Sequence, residues 1–158
     1  MAEIRRAPLP PQVPPAERDA LKLWVVLSRA HAAIQAHAAA DVARHGLTLA
    51  EFGVLEALFH KGPMLLGEVQ RSLLVSSGGV TYLVDRLEGR GLVRRDQCPD
   101  DRRARYAVLT EAGEALVREV FPQHAAALRA AMDGLPREEQ RAATELLRTL
   151  GTGAAAKR

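Results

Sequence analysis

The side chains with the most to offer chemically are arginines, and they are gathered in one place. Between residues 86 and 105 stand seven of them (Arg86, Arg90, Arg94, Arg95, Arg102, Arg103 and Arg105) against four acids (Glu88, Asp96, Asp100 and Asp101). That local surplus equals the formal charge of the whole 158-residue chain, +3. A guanidinium presents a planar fork of donors that fits phosphate oxygens and the major-groove edge of guanine. A nearly neutral chain with its cations concentrated this way suits a polyanion met at one place, where phosphate neutralisation supplies the affinity. The competing reading of the same run is a solvated arginine-rich hairpin.

Those arginines need a frame, and the stretch Ser76–Thr110 provides one. Val80, Leu83, Val84 and Leu87 fall at i, i+3, i+4 and i+7, which predicts a helix with one apolar stripe and with Thr81, Tyr82, Asp85 and Arg86 pointing elsewhere. Ser76 or Ser77 can cap its start and Gly91 can end it in a left-handed conformation. The period then changes. Leu92–Asp96 and Arg103–Leu109 read as two extended runs around a polar CPDD turn, a β-hairpin.

Upstream, residues 17–45 read as a long helix stopped at Gly46, with Leu21, Trp24, Val25, Ser28, Ala32, Ile34, Ala36, Ala39 and Ala43 on an unusually wide apolar surface. Such an excess near a terminus suggests a partner helix from a second subunit. Thr48 and Glu51 form a capping box for a helix with Phe52, Leu55 and Phe59 on one face, ended by Gly62-Pro63. A short helix from Leu65 or Leu66 to Leu74 carries Leu66, Val69 and Leu73 inward, and only VSS separates it from the Val80 helix. Two helices so joined, followed by a hairpin, make a winged helix-turn-helix.

Beyond the hairpin, Thr110 caps a helix expected to reach Met132 and to bend at Pro122. Pro136 opens a last helix with the stripe Leu146, Leu147 and Leu150. The fold class is thus mainly α with an α+β wing. Residues 1–16 read as a flexible proline-rich arm, 47–110 as the winged head and 151–158 as a frayed tail.

Other function classes find little support. At 47% hydrophobic and 26% charged residues the composition is that of an ordinary globular chain. No apolar run approaches the ~20 residues of a membrane span and no signal peptide opens the chain, so a cytoplasmic location without membrane contact is expected. GxSxG, Walker, GxGxxG and HExxH motifs are missing, and neither an enzyme nor a cofactor is indicated. His31, His37, His45, His60 and His124 lack metal-ligand spacing. Cys98 lies among Arg94, Arg95 and Arg102 and so invites a redox role, but with no second cysteine in the chain it reads as an inert loop residue.

The run DRRARYAVLTEAG, Asp101 to Gly113, resembles the wing signature of the MarR family of bacterial transcriptional regulators. LKLWVVLSRAH (21–31), LTLAEFGVLEALFHKG (47–62) and SSGGVTYLVDRLEGRGLV (76–93) are similar to the MhqR-type branch, whose members sense quinone-like or phenolic compounds. The resemblance covers roughly residues 17–150. It implies a homodimer whose helical regions, 17–46 and 111–150, interlock, presenting two heads to half-sites about 34 to 36 Å apart on double-stranded DNA.

On that reading Ser76, Ser77, Gly78, Thr81, Tyr82 and Arg86 face the major groove. Gly78 and Gly79 permit close backbone approach, and Arg86 is the best base reader, unless it pairs with Asp85, Glu88 or a phosphate. In the wing the family pattern sets Arg103 at the tip, oriented by Asp101 and directed into a narrow minor groove, with Arg95, Arg102 and Arg105 as further DNA contacts. The resemblance also implies a small aromatic effector in a cleft where the dimer helices meet the head, with Trp24, His31, Phe52, Phe59 and Phe121 as candidate lining residues. The rival reading is a winged helix that contacts protein or RNA without operator specificity.

Overall fold

Threonine caps and left-handed glycines punctuate the chain. The computed structural model describes residues 13–73, 77–98 and 104–157, Ser77 and Gly78 by their backbone alone. Its elements are α1 (Pro15–Ala43), α2 (Leu49–Lys61), β1 (Met64–Leu65), α3 (Leu66–Leu73), α4 (Ser77–Gly89), β2 (Val93–Gln97), β3 (Arg105–Leu109), α5 (Glu111–Ala131) and α6 (Arg137–Ala155). Gly46, Gly62 and Gly91 take φ of 68°, 77° and 69°, conformations that cost a side-chain-bearing residue heavily, and each closes the helix before it.

The chain divides into two units, Met1–Ala36 and His37–Arg158. In the first, the described part of α1 leaves Leu21, Leu23, Trp24, Val25 and Val26 exposed, the wide apolar surface expected from its sequence. In the second, the core is built from Phe52, Val54 and Leu55 of α2, Val69 of α3, Val80, Val84 and Leu87 of α4, and Val117 and Val120 of α5. The α4 and α5 sets repeat at helical spacing, so burial of these stripes selects how those helices are rotated. Leu66 and Leu73, expected inward, are half-buried against this core. None of α6 is buried, and Leu146, Leu147 and Leu150 are exposed. Among the described residues no helix is long and apolar enough to cross a membrane.

The wing differs from a two-stranded hairpin. Its sheet has three strands in the order β1-β3-β2, all antiparallel, with Met64 opposite Ala107 and Val93 to Gln97 opposite Leu109 to Arg105. The two-residue β1 joins because β3 lies alongside with backbone groups to pair. Ala107, paired on both sides, is fully buried.

Thr110 locks the wing to the head. Its hydroxyl accepts from the Gly113 N–H (3.1 Å) and donates to the Gly91 carbonyl (2.7 Å), while its own N–H donates to the Leu92 carbonyl (3.1 Å). The end of α4 and the start of α5 are therefore held in one knot. α5 runs through Pro122 to Ala131, close to the expected end at Met132. One expectation at the C-terminal end needs correction: α6 continues to Ala155, so most of the stretch expected to fray is helical. Ala154 and Ala155 favour that extension while Gly151 and Gly153 oppose it, and the Thr152 hydroxyl is absorbed by a bond to the Arg148 carbonyl at 2.7 Å.

Candidate nucleic-acid interface

α4 is rotated as its sequence requires. Val80, Val84 and Leu87 are fully buried and Leu83 nearly so, while Thr81, Tyr82, Asp85 and Arg86 lie on the opposite, exposed side. Tyr82 is 59% exposed, a large aromatic with no core role. α3 and α4 follow each other as the two helices of a helix-turn-helix, the second with a polar outer face that a groove can accept.

The structure assigns the arginines of the region different tasks. The Arg86 Nε–H donates to Glu51 Oε1 at 2.8 Å, and Nη1 donates to the Tyr82 hydroxyl at 3.3 Å, with the guanidinium 5.8 Å from the Tyr82 ring centre. The Tyr82 hydroxyl and the Glu51 carboxylate hold the guanidinium in its charged form, above its usual range. Burial pushes Glu51 up, but the bonds from Thr48 and Arg86 outweigh it and the carboxyl ends below its usual range. The carboxylates considered as partners for Arg86, Asp85 and Glu88, are taken by Arg95 instead, and Arg90 donates to the Gly46 carbonyl at 2.9 Å.

Arg95, a candidate DNA contact in the wing, has protein partners in this structure. It is turned onto Asp85 (2.6 Å) and Glu88, its side chain only 20% exposed, because β2 returns beside the two acids that α4 presents one turn apart. In this conformation it is a strut between wing and helix. Arg94 braces β2 similarly, through Asp96 (3.0 Å) and the Leu109 carbonyl (3.3 Å). Arg105 is half-buried on β3, opposite Gln97. Ser76, Asp101, Arg102 and Arg103 lie outside the described residues, while Ser77 and Gly78 form the first turn of α4. Cys98 is buried at the end of β2, where its N–H donates to the Ala104 carbonyl at 3.3 Å, in keeping with an inert cysteine. Among the described residues no cluster of His, Cys, Asp or Glu could hold a metal ion.

Of the five aromatic residues proposed to line an effector cleft, two lie on the first unit and three on the second. Trp24 and His31 are exposed on the first unit. Phe52 is core, 1% exposed and packed edge-on against His124 with ring centres 4.9 Å apart. Phe59 and Phe121 are half-buried, His60 standing between them at 5.4 and 5.3 Å. A cavity of about 460 Å³ lies among His37, Ala40, Asp41, Arg44, Ala127, Ala130 and Ala131.

Two polar residues in this part of the molecule escaped sequence reasoning. His124 Nδ1 and Asp41 Oδ2 meet at 3.1 Å across 83 positions, both residues buried, with Arg44 also on Asp41. A signal existed: Asp41 interrupts the stripe Ala38–Val42 and His124 continues the stripe Val117–Val120, and polar residues on two apolar stripes have to satisfy each other. Burial raises the Asp41 pKa, but Arg44 and His124 more than offset it, and the carboxyl sits below its usual range. The stabilisation is therefore complete above the unfolded-state pKa of about 4 and is lost as pH falls through the lower folded value. In thermal unfolding between about pH 5 and pH 2, Asp41→Asn should show a shallower decline than the wild type; an unchanged slope would exclude this coupling.

Comparison with known proteins adds to this geometry. The MarR family model matches residues 47–104. Over 134 residues the chain is 42% identical to the HTH-type transcriptional regulator MhqR of Bacillus subtilis, an overlap of 85% of this chain and 92% of that one. Among solved structures, the DNA complex of Sco3205, a MarR family transcriptional regulator from Streptomyces coelicolor, superposes with a TM-score of 0.80 at 28% identity, covering 91% of both chains. BpsR of Bordetella bronchiseptica, whose DNA binding is regulated by 6-hydroxynicotinic acid, gives 0.76 at 30% identity, covering 82% of this chain and 98% of that one.

Proposed function

Because this chain belongs to the MarR family of transcriptional regulators, we propose that it is a homodimeric repressor of a pseudo-palindromic operator, released from DNA by a small phenolic or quinone-like compound. The observation that carries DNA reading is the outer face of α4, where Thr81, Tyr82 and Arg86 stand opposite a fully buried stripe. Arg86 reads a base in the major groove, and Arg103 with Asp101 and Arg102 engages the minor groove and backbone. Ser76, Ser77 and Gly78 bring the start of the helix close to phosphate. Arg105 adds backbone charge.

Dimerisation is supported by the apolar faces left uncovered on α1 and, separately, on α6, which a second copy would remove from water. Release by a small molecule is supported by the MhqR-type resemblance and by a relative, BpsR, whose DNA binding responds to 6-hydroxynicotinic acid. An effector of this kind binds the dimer with mis-spaced recognition helices more tightly than the DNA-competent one.

Binding to the DNA adjoining the protein's own coding region tests the proposal. The logarithm of affinity should fall linearly with the logarithm of salt concentration, with a preference over random duplex of about a thousandfold or more. Catechols or benzoquinones should abolish the complex. Equal affinity for random DNA would favour a winged helix that lacks operator specificity.

A further inference from the structure

Glu51 is 1% exposed, and both of its carboxylate oxygens are committed. Oε2 accepts from the Thr48 N–H at 2.7 Å, and Oε1 accepts from the Arg86 Nε–H at 2.8 Å, thirty-five positions along the chain. A capping box needs only the first of these bonds. The second reaches from the start of α2 to the outer face of α4, where the Arg86 side chain is 47% exposed. A guanidinium can meet a pair of acceptors side-on, through Nε and one Nη, or end-on, through the two Nη groups. With its Nε–H held by Glu51, only the end-on fork is left for DNA. The Tyr82 hydroxyl, 3.3 Å from Nη1, braces the same group from the side.

We propose that Glu51 is a positioning residue for sequence recognition: it closes the side-on edge of Arg86 and aims the end-on fork at guanine before DNA arrives. This rests on Arg86 reading a base. A long, half-exposed arginine would otherwise sample many rotamers and lose that freedom on binding, whereas one anchored to a buried carboxylate is already organised. The carboxylate is in turn kept in place by burial, since it cannot give up Arg86 without leaving charge unpaired inside the protein. Glu51 thus touches no DNA, yet it determines which geometry of contact Arg86 can make.

The full-length protein can be tested by selection from a randomised duplex library. The wild type should enrich guanine at one position per half-site, and Arg86→Ala should lose that enrichment by about tenfold or more. Glu51→Gln offers a single acceptor oxygen where two donors need one, and should lose about tenfold in guanine preference while affinity for random duplex stays within about twofold. Combined with Arg86→Ala it should lose nothing further. Thr48→Ala removes the hydroxyl cap but keeps the Thr48 N–H and the Glu51–Arg86 bond; it should lower stability and leave the preference intact.

If Arg86→Ala keeps the guanine preference, base reading by Arg86 fails and the role of Glu51 fails with it. If Arg86→Ala loses the preference but Glu51→Gln keeps it, or if Glu51→Gln costs as much with Arg86 absent as with it present, only the positioning role is overturned. A readout that does not depend on any variant folding is the Arg86 Nε–H signal in a proton–nitrogen correlation spectrum. It should be protected from exchange in the free protein and keep its shift when duplex is added; rapid exchange, or a large shift on binding, would overturn the positioning role.

Discussion

Gly113→Ala should destabilise the protein by about 3 kcal/mol or more, a fall in Tm of about 6 to 12 °C. Inside a helix the same change normally stabilises, by about 1 kcal/mol, so the expected sign is reversed. Gly113 lies in the first turn of α5, where the helix crosses the exit from α4. A Cβ there would stand 2.1 Å from the Leu92 carbonyl oxygen and 2.9 Å from Leu109 Cδ2. The first contact is with backbone that cannot swing aside, and that carbonyl already accepts the Thr110 N–H at 3.1 Å. Relief would require α5 to lift away from the wing, undoing the knot around Thr110. Urea unfolding of the purified variant measures the effect. An alanine protein as stable as the wild type would show that this crossing is not close-packed in solution.

Arg103→Ala should weaken operator binding about tenfold to a hundredfold and leave thermal stability and oligomeric state unchanged. Arg95, eight positions earlier, should behave in the opposite way. Arg95 is engaged by Asp85 and Glu88, so Arg95→Ala should lower stability, by up to about 1 kcal/mol given how exposed those acids are. Anisotropy titrations of both variants, set beside their unfolding curves, separate the two tasks. Wild-type operator affinity in Arg103→Ala would remove the wing tip from the DNA contact.

What could be read from the sequence divides along the length scale of the interaction. The stripe Val80, Leu83, Val84 and Leu87, the caps Thr48 and Thr110, and the stops Gly46, Gly62 and Gly91 are local signals, and all appear in the structure as expected. β1 was missed because two residues carry no periodicity; only the neighbouring strand defines it. Arg86–Glu51 and Asp41–His124 are separated by 35 and 83 positions, beyond the reach of spacing rules. Counting charge located the basic region, but Arg86, Arg90, Arg94 and Arg95 all have partners within the protein. A surplus in a window does not tell a strut from a reader, because that depends on which carboxylates the fold brings back. Burial is likewise set by the fold and not by residue type: Phe52 is core, whereas Trp24 and His31 are exposed on α1.

The most direct test of the central claim, that the outer face of α4 enters the major groove, is methylation interference on the DNA bound by the full-length protein. Methylation of guanine N7 blocks the major-groove edge alone. Interference is expected at two clusters of guanines centred about 10 base pairs apart, with the cluster contacted by Arg86 silenced in Arg86→Ala. Tight, sequence-preferring binding that tolerates N7 methylation throughout the site would contradict it.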